Sequence, residues 1–399
     1  MTARTIAIAG CGPAGLAAAL LLARDGHRVT LLERFATPQP IGSGLMLQPT
    51  GLAVLRELGL TEEVLARGAR VDRLLGCTAE GRVVLDVAYR ALKGERFGLG
   101  IHRASLFGVL FDAAVAAGIP IETGRTVTGS EPAGDGRRRL LFEGGTRSAK
   151  FDLVVDALGS RTPLAPPTGR ELAYGALWTS LAWPEGTSLS LSTLEQRYDR
   201  ASRMVGVLPT GTRAGGGGAE ASLFWSLRLD RLEAWRTAGL AAWKAEVRAL
   251  WPATEPLLAQ IDHPDQLAVA RYAHRTLSKP AATGLIHIGD TWHSASPQLG
   301  QGANMALLDA WALRQGLRGA ATVEAGLVRT VAMRQRHVAL YQALTALLTP
   351  VYQSDSRVIP ALRDRLVAPL SRLPLVEGIQ AALVAGLVGR PLAKLALHA

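Results

Sequence analysis

Residues 4–34, RTIAIAGCGPAGLAAALLLARDGHRVTLLER, admit few folds. An apolar run, Ile6-Ala7-Ile8-Ala9, has strand character and leads into Gly10-Cys11-Gly12-Pro13-Ala14-Gly15. An Ala/Leu-rich helical stretch follows, then a second apolar strand, Val29-Thr30-Leu31-Leu32, closed by Glu33 and Arg34. A strand, a glycine turn, a helix and a strand within about 30 residues form the opening unit of a doubly wound α/β domain. Gly10 permits the tight turn, Gly12 lets a ligand reach the backbone, and Gly15 lets the helix pack closely on the strand.

The same unit predicts a dinucleotide site. The start of the helix after Gly12 offers unpaired N–H groups and a positive dipole end to a pyrophosphate. Glu33 is placed to accept hydrogen bonds from a ribose, which favours adenosine over its 2′-phosphorylated form. NAD and FAD both satisfy this pattern, and a tight turn without a ligand is the bland alternative.

Bulk properties narrow the class. The chain has 399 residues, 48% of them hydrophobic and 19% charged, enough to bury a large core as one unit or two joined domains. The formal charge of +11 is carried by scattered arginines, with no basic stretch interleaved with aromatics, so no nucleic-acid partner is expected. Cys11 and Cys77 give neither a disulfide framework nor a metal spacing, which points to the cytoplasm and to no metal. No run has the length of a membrane span. The apolar tail from Pro374 leaves a membrane-surface contact or a homodimer open, beside a monomer.

Along the chain, Pro38 to Gly44 and Ala214 to Ala219 read as loops, and residues 72–100 as short strands. Helices are expected over Gly51 to Leu58, Ala104 to Ala117, Gly239 to Leu250 and Met305 to Leu317. Strands are expected at Thr126 to Thr128, Leu140 to Phe142, Phe151 to Val155, Leu189 to Leu191, Met204 to Leu208, Ser222 to Leu229 and Leu285 to Ile288. Residues 168–275 hold six of the eight tryptophans, as core packing or as the lining of an aromatic-binding cavity.

A second motif settles the cofactor. Gly289-Asp290, His293, Pro297, Gly300-Gln301-Gly302, Asn304 and Asp309-Ala310 stand in the spacing GDxxHxxxPxxGQGxNxxxxDA. With the N-terminal glycines and Ile101-His102-Arg103-Ala104-Ser105-Leu106, the chain resembles the class A FAD-dependent aromatic monooxygenases, the family of para-hydroxybenzoate hydroxylase and the ubiquinone-pathway hydroxylases.

That resemblance implies an α/β fold: a Rossmann-type FAD-binding domain, an inserted mixed-sheet substrate domain and a C-terminal helical region. The expected divisions are 1–71, 97–167 and 276–330 for FAD, 72–96 and 168–275 for substrate, and 331–399 for the helices. It implies FAD reduced by NADH or NADPH. A flavin hydroperoxide then hydroxylates or epoxidises a small aromatic or unsaturated apolar substrate. By resemblance the cofactor-binding positions are Gly10, Gly12, Pro13, Ala14, Gly15, Glu33, Arg34, Gly44, Gln48, Arg103, Asp290, Pro297, Gly300, Gln301, Gly302, Ala303 and Asn304. Asp290 would take the ribityl hydroxyls, Arg103 the pyrophosphate or ribityl chain, and Gly300 to Asn304 the pyrimidine edge. Pro297 would lie where the ring meets substrate, with no side chain required as nucleophile. His293 and Asp309 are expected to be structural.

Two positions depart from the family pattern. Leu158 stands where the middle motif carries an acid, with Asp156 two residues earlier, and this touches donor binding more than FAD binding. Trp292 is bulky at a usually small position and is expected to narrow the cavity beside the flavin. The departures keep two other readings open: a flavin reductase or halogenase-like oxidoreductase, and a flavin-binding protein that does not turn over. No Trp-x-Trp-x-Ile-Pro segment supports halogenation.

Overall fold

The computed structural model describes residues 3–38, 42–212, 217–367 and 373–398. Parts of the two loop readings (Gln39 to Ile41, Ala214 to Gly216) lie outside the described residues.

The first strand, Thr5–Ala9, is the centre of the nucleotide sheet. Its neighbours are both parallel to it: Arg28–Leu32 on one side and Leu153–Asp156 on the other. Leu285–His287 adds beyond Leu153–Asp156, also parallel, and Ile121–Glu122 adds beyond Arg28–Leu32. A short antiparallel edge strand, Ala281–Ala282, completes six strands. Chain connections therefore diverge to both sides of Thr5–Ala9, and the crevice at such a reversal lies beyond the carboxyl ends of the strands.

Register fixes what lines that crevice. Ala9 stands opposite both Leu32 and Asp156, and Asp156 stands opposite His287. Gly10, Glu33, Ala157 and the Ile288-Gly289-Asp290 segment therefore leave the sheet side by side. Helix Pro13–Arg24 packs on one face through Leu16, Leu20, Leu21 and an unbroken alanine run. Helix Gly302–Leu317 packs beside it, buried along nearly its full length.

A seven-stranded sheet forms the second layer. It is ordered Ala268–Ala270, Tyr174–Ala182, Ala219–Arg228, Arg203–Thr212, Thr193–Asp199, Arg73–Thr78, Val83–Ala88. It is mixed, because Thr193–Asp199 runs parallel to Arg73–Thr78 while the other pairings are antiparallel. One face, with Leu177, Val205, Leu223 and Trp225, buries helix Leu232–Leu250 through Trp243 and Val247. The alternate residues, among them Leu208 and Phe224, pack with Met46 of strand Gly44–Leu47 and with Tyr89, which follows strand Val83–Ala88. Trp225, Trp243 and Trp251 thus belong to the outer core, whereas Trp178 turns toward the nucleotide layer.

Two expectations fail locally. Leu189 to Leu191 is a turn, and the strand begins at Thr193; the alternating Ser/Leu pattern mimics a strand but caps itself through the Ser190, Ser192 and Thr193 hydroxyls. The helix expected from Gly239 to Leu250 is present, and a further helical segment from Leu232 precedes it, separated by a kink at Gly239, whose φ is +81. Trp292 is buried among Leu277, Leu299, Met305, Val338 and Tyr341, so it fills core and narrows no crevice. Residues 323–352 form one long helix, followed by shorter pieces including Pro374–Val384. Among the described residues no helix is long and apolar enough to cross a membrane.

Candidate functional site

The glycine turn is built for contact at one position and for tight packing at two. A Cβ on Gly10, at φ +104, would stand 2.6 Å from the Ala157 carbonyl oxygen, and one on Gly15 would stand 2.0 Å from that of Gly10. Gly12 differs: nothing lies within 4 Å of its Cβ position. It is also the N-cap of Pro13–Arg24 and supplies no side chain to the helix N–H groups, Ala14 and Gly15 among them. An open backbone at an uncapped helix start is a cradle for an anion.

Glu33 closes the turn. One carboxylate oxygen accepts from the Cys11 N–H at 3.1 Å and the other from the Phe35 N–H at 3.1 Å, leaving each oxygen a second acceptor position. Arg34 is exposed and stacks over Phe35. Burial and the neighbouring Glu33 push the Cys11 thiol up to about 12, so it stays protonated and unreactive.

Across the crevice, Asp290 keeps an exposed face yet sits in dense surroundings. Desolvation raises its pKa, Asp309 adds to this, and the positive fields of His293 and Arg103 oppose it. Both observations hold for a carboxylate on the wall of a deep crevice. No hydrogen-bond partner engages Asp290 among the described residues. Arg103, at the start of helix Arg103–Ala116, is likewise exposed and lies against Gly42, whose Cβ position is 3.1 Å from its Nε. A carboxylate and a guanidinium facing one space, neither engaged by the other, fit a ligand carrying hydroxyls and phosphate.

The second helix start repeats the first. Gly302–Leu317 has no side-chain cap, and nothing lies within 4 Å of the Gly302 Cβ position. Gly300 before it is at φ +60, and Pro297 is exposed. Two polar side chains of this motif, Asn304 and Gln301, and Gln48 from outside it are buried. Asn304, fully buried, accepts from the Gln48 N–H at 2.7 Å and donates to the carbonyls of Gly300 and Met46 at 2.8 and 3.1 Å. Gln301 donates to the Val384 carbonyl at 2.6 Å. Gln48 accepts from the Tyr89 hydroxyl. Asn304 thus ties strand Gly44–Leu47 and the Gln48 N–H to the helix start, and Gln301 ties that start to Val384.

Asp309 is an anchor, as its place inside a helix suggested. It accepts from the Gly289 N–H at 2.9 Å, pairs with His293 at 2.6 Å, and takes the Arg334 guanidinium at 2.7 Å, all buried. Arg334 and His293 lower its pKa against the opposing effect of burial. Asp156 is occupied too, by Thr162, His287 and the Leu158 N–H, so it does not stand in for the missing acid at Leu158. Gly159 nevertheless faces open space at φ +87.

Sequence reasoning did not find the aromatic wall. Trp178 stacks on Phe224 with ring centroids 4.5 Å apart and donates its indole N–H to the Tyr272 hydroxyl at 2.9 Å. Arg103 acts on the Tyr272 phenol, whose pKa burial raises to about 12, so this wall adjoins the crevice. Two residues beyond Tyr272, His274 reaches Thr349, which bonds Ser296 beside Pro297. The described groove of about 450 Å³ near Pro280 and Leu327 shares none of these residues.

A family profile described as "FAD binding domain" matches residues 3–339. The 6-methylpretetramide 4-monooxygenase of Streptomyces rimosus is 27% identical over 397 residues, covering 94% of this chain and 90% of that one. The 3-hydroxybenzoate 6-hydroxylase 1 of Aquipseudomonas alcaligenes is 34% identical over 161 residues, 39% of this chain and 41% of the other. In fold, the Klebsiella pneumoniae HpxO structure complexed with FAD and uric acid superposes with a TM-score of 0.81 at 18% identity, over 96% of this chain and 97% of that one.

Proposed function

This chain belongs to the FAD-binding-domain family and is a FAD-dependent monooxygenase of the aromatic hydroxylase type, and from that premise we propose that it takes electrons from NADH or NADPH and inserts one atom of O2 into a small aromatic or unsaturated apolar substrate. The reading is supported by the register that brings Gly10, Glu33 and Gly289-Asp290 off the sheet side by side, with the field of Arg103 acting on Asp290 and open helix starts at Gly12 and Gly302. The residues fit FAD: two open helix starts, an unengaged carboxylate and an unengaged guanidinium.

In this reading Gly10 to Gly15 hold the pyrophosphate, Glu33 and Arg34 the adenosine end, and Asp290 and Arg103 the ribityl chain. Gly300 to Asn304 set the backbone N–H groups of the second helix start against the pyrimidine edge, where negative charge grows on reduction. Gly44 and Gln48 shape the other side of the ring's pocket, and Pro297 separates it from the substrate. FAD, when bound, supplies the electron transfer and the oxygen chemistry. The protein's share is to orient substrate against Trp178 and Tyr272 and to exclude water from the pocket. The two relatives are named for aromatic compounds, which supports an aromatic substrate here. The reading places the enzyme in the cytoplasm, as monomer or homodimer, with both cysteines free and buried.

The test is the visible absorbance of the purified protein, followed by NADH and NADPH oxidation in an oxygen electrode with a panel of aromatics. Flavin bands and substrate-stimulated oxygen uptake are expected. Flavin bands with donor oxidation but no oxygen incorporation would replace the monooxygenase with a reductase.

A further inference from the structure

The last carbonyls of an α-helix have no partner within it and usually turn to water. At the end of helix Pro374–Val384 four consecutive carbonyls are each met by a side chain from elsewhere. Tyr341 donates to Leu383 at 2.9 Å, Gln301 to Val384 at 2.6 Å, Thr50 to Ala385 at 3.5 Å and His337 to Gly386 at 3.2 Å. Gly386, at φ +79, allows the approach, since its Cβ would stand 2.7 Å from the Thr50 hydroxyl and 2.8 Å from the Gln301 carbonyl oxygen. The helix packs one side, through Ala381, Val384 and Ala385, against Val87, Tyr89 and Met46, and the four bonds fix its end. It is 11 residues long, too short to be stable alone, and Leu375 and Ile379 are largely exposed.

The donors lead back to the crevice on both sides. Gln301 immediately precedes the open helix start at Gly302. On the other side, Arg334 donates to His337 Nδ1 at 2.7 Å. Arginine cannot accept, so His337 carries its proton on Nε2, where the Gly386 carbonyl takes it. Arg334 also donates to Asp309 at 2.7 Å, and Asp309 accepts the N–H of Gly289, the neighbour of Asp290. The helix end is therefore bonded through side chains to both flavin-facing segments.

We propose that docking of the 374–386 helix end and FAD occupancy of the crevice are coupled, with His337, Arg334 and Tyr341 as positioning residues that hold Gly289-Asp290 and Gln301-Gly302 in their ligand-ready arrangement. The proposal rests on the assignment of Asp290 and Gly302 to FAD. Linkage requires reciprocity: FAD strengthens the docking by the same factor by which docking strengthens FAD binding.

Two measurements on the full chain test it. Hydrogen exchange of residues 378–388 is compared between the FAD-loaded and FAD-stripped protein, and FAD affinity of the stripped protein is titrated by flavin fluorescence. Stripping should speed exchange there, and His337→Ala should weaken FAD binding about tenfold, within the usual range of coupling between sites. His337→Gln, which can still donate to Gly386, should restore most of the affinity. Tyr341→Phe, which loses only the bond to Leu383, gives a milder variant that keeps its core packing. Unchanged exchange on stripping, or variants with a lowered Tm and unaltered FAD affinity, would reduce the four bonds to fold support. Asp290→Ala separates the layers of the argument. If it keeps FAD, the crevice assignment fails and the coupling with it; if it loses FAD while His337→Ala binds normally, the coupling alone fails.

Discussion

Gly15 lies so close to Gly10 that a Cβ on it would stand 2.0 Å from the Gly10 carbonyl oxygen, while Gly12 between them faces open space. The two outer glycines serve the fold, and in the proposed site the middle one is left to the pyrophosphate. Gly15→Ala should destabilise the chain by about 1–3 kcal/mol, the usual range for overpacking, seen as a lower denaturation midpoint with or without FAD. Gly12→Ala should leave the FAD-stripped protein's midpoint unchanged and weaken FAD binding. Equal losses of stability in both variants would refute this division of roles.

Asp290 predicts a pH dependence with a definite sign. Its pKa is raised in the fold, so between the ordinary carboxylate value and the raised one the folded chain holds a proton that the unfolded chain releases. Stability of the stripped protein therefore falls as pH rises through that window, and the full deficit persists above it. Asp290→Asn removes the penalty. Its stripped form should melt above the parent at neutral pH, and the two should converge near about pH 4, where the unfolded group titrates. The same variant should bind FAD more weakly, opposing its gain in stability.

Asn304 makes three bonds, two of them buried, with three backbone groups: the Gln48 N–H and the carbonyls of Met46 and Gly300. Asn304→Leu keeps the volume and leaves these groups unpaired, at about 1–3 kcal/mol for each buried polar group. A urea midpoint that falls by less than one such increment would show that the loop relaxes to find other partners.

Trp178 should act on substrate and leave FAD alone. Trp178→Ala removes the stack on Phe224 and the donor to Tyr272, so KM for the best aromatic should rise about tenfold, corresponding to roughly 1.4 kcal/mol of lost contact. FAD affinity should stay within error. Loss of bound FAD in this variant would place Trp178 against the cofactor.

The strand, turn and helix at Gly10 to Gly15 were legible because their geometry is encoded within one short segment. The Gly289 to Asn304 stretch was legible as a motif for the same reason, and the side chains of Gln301 and Asn304 bond the scaffold. What escaped were pairings across the chain. Trp178 with Tyr272, and Gln301 with Val384, join residues more than eighty positions apart, and no local period announces them. Trp292 misled through its size: bulk at a usually small position suggested a constriction, but the space behind the helix start takes the indole whole. At Leu189 to Leu191 the alternation was real and the serine hydroxyls overrode it.

The proposed FAD crevice draws on chain positions as distant as Gly10 and Asp290, brought together when Leu285–His287 pairs with Leu153–Asp156 beside the first strand. A nascent chain that has not yet reached that pairing has helices and strands but nowhere to hold the dinucleotide. Yellow colour in a lysate or on a column is therefore a report on long-range assembly, blind to local structure. It offers a direct visual screen for variants that keep their helices and lose their architecture.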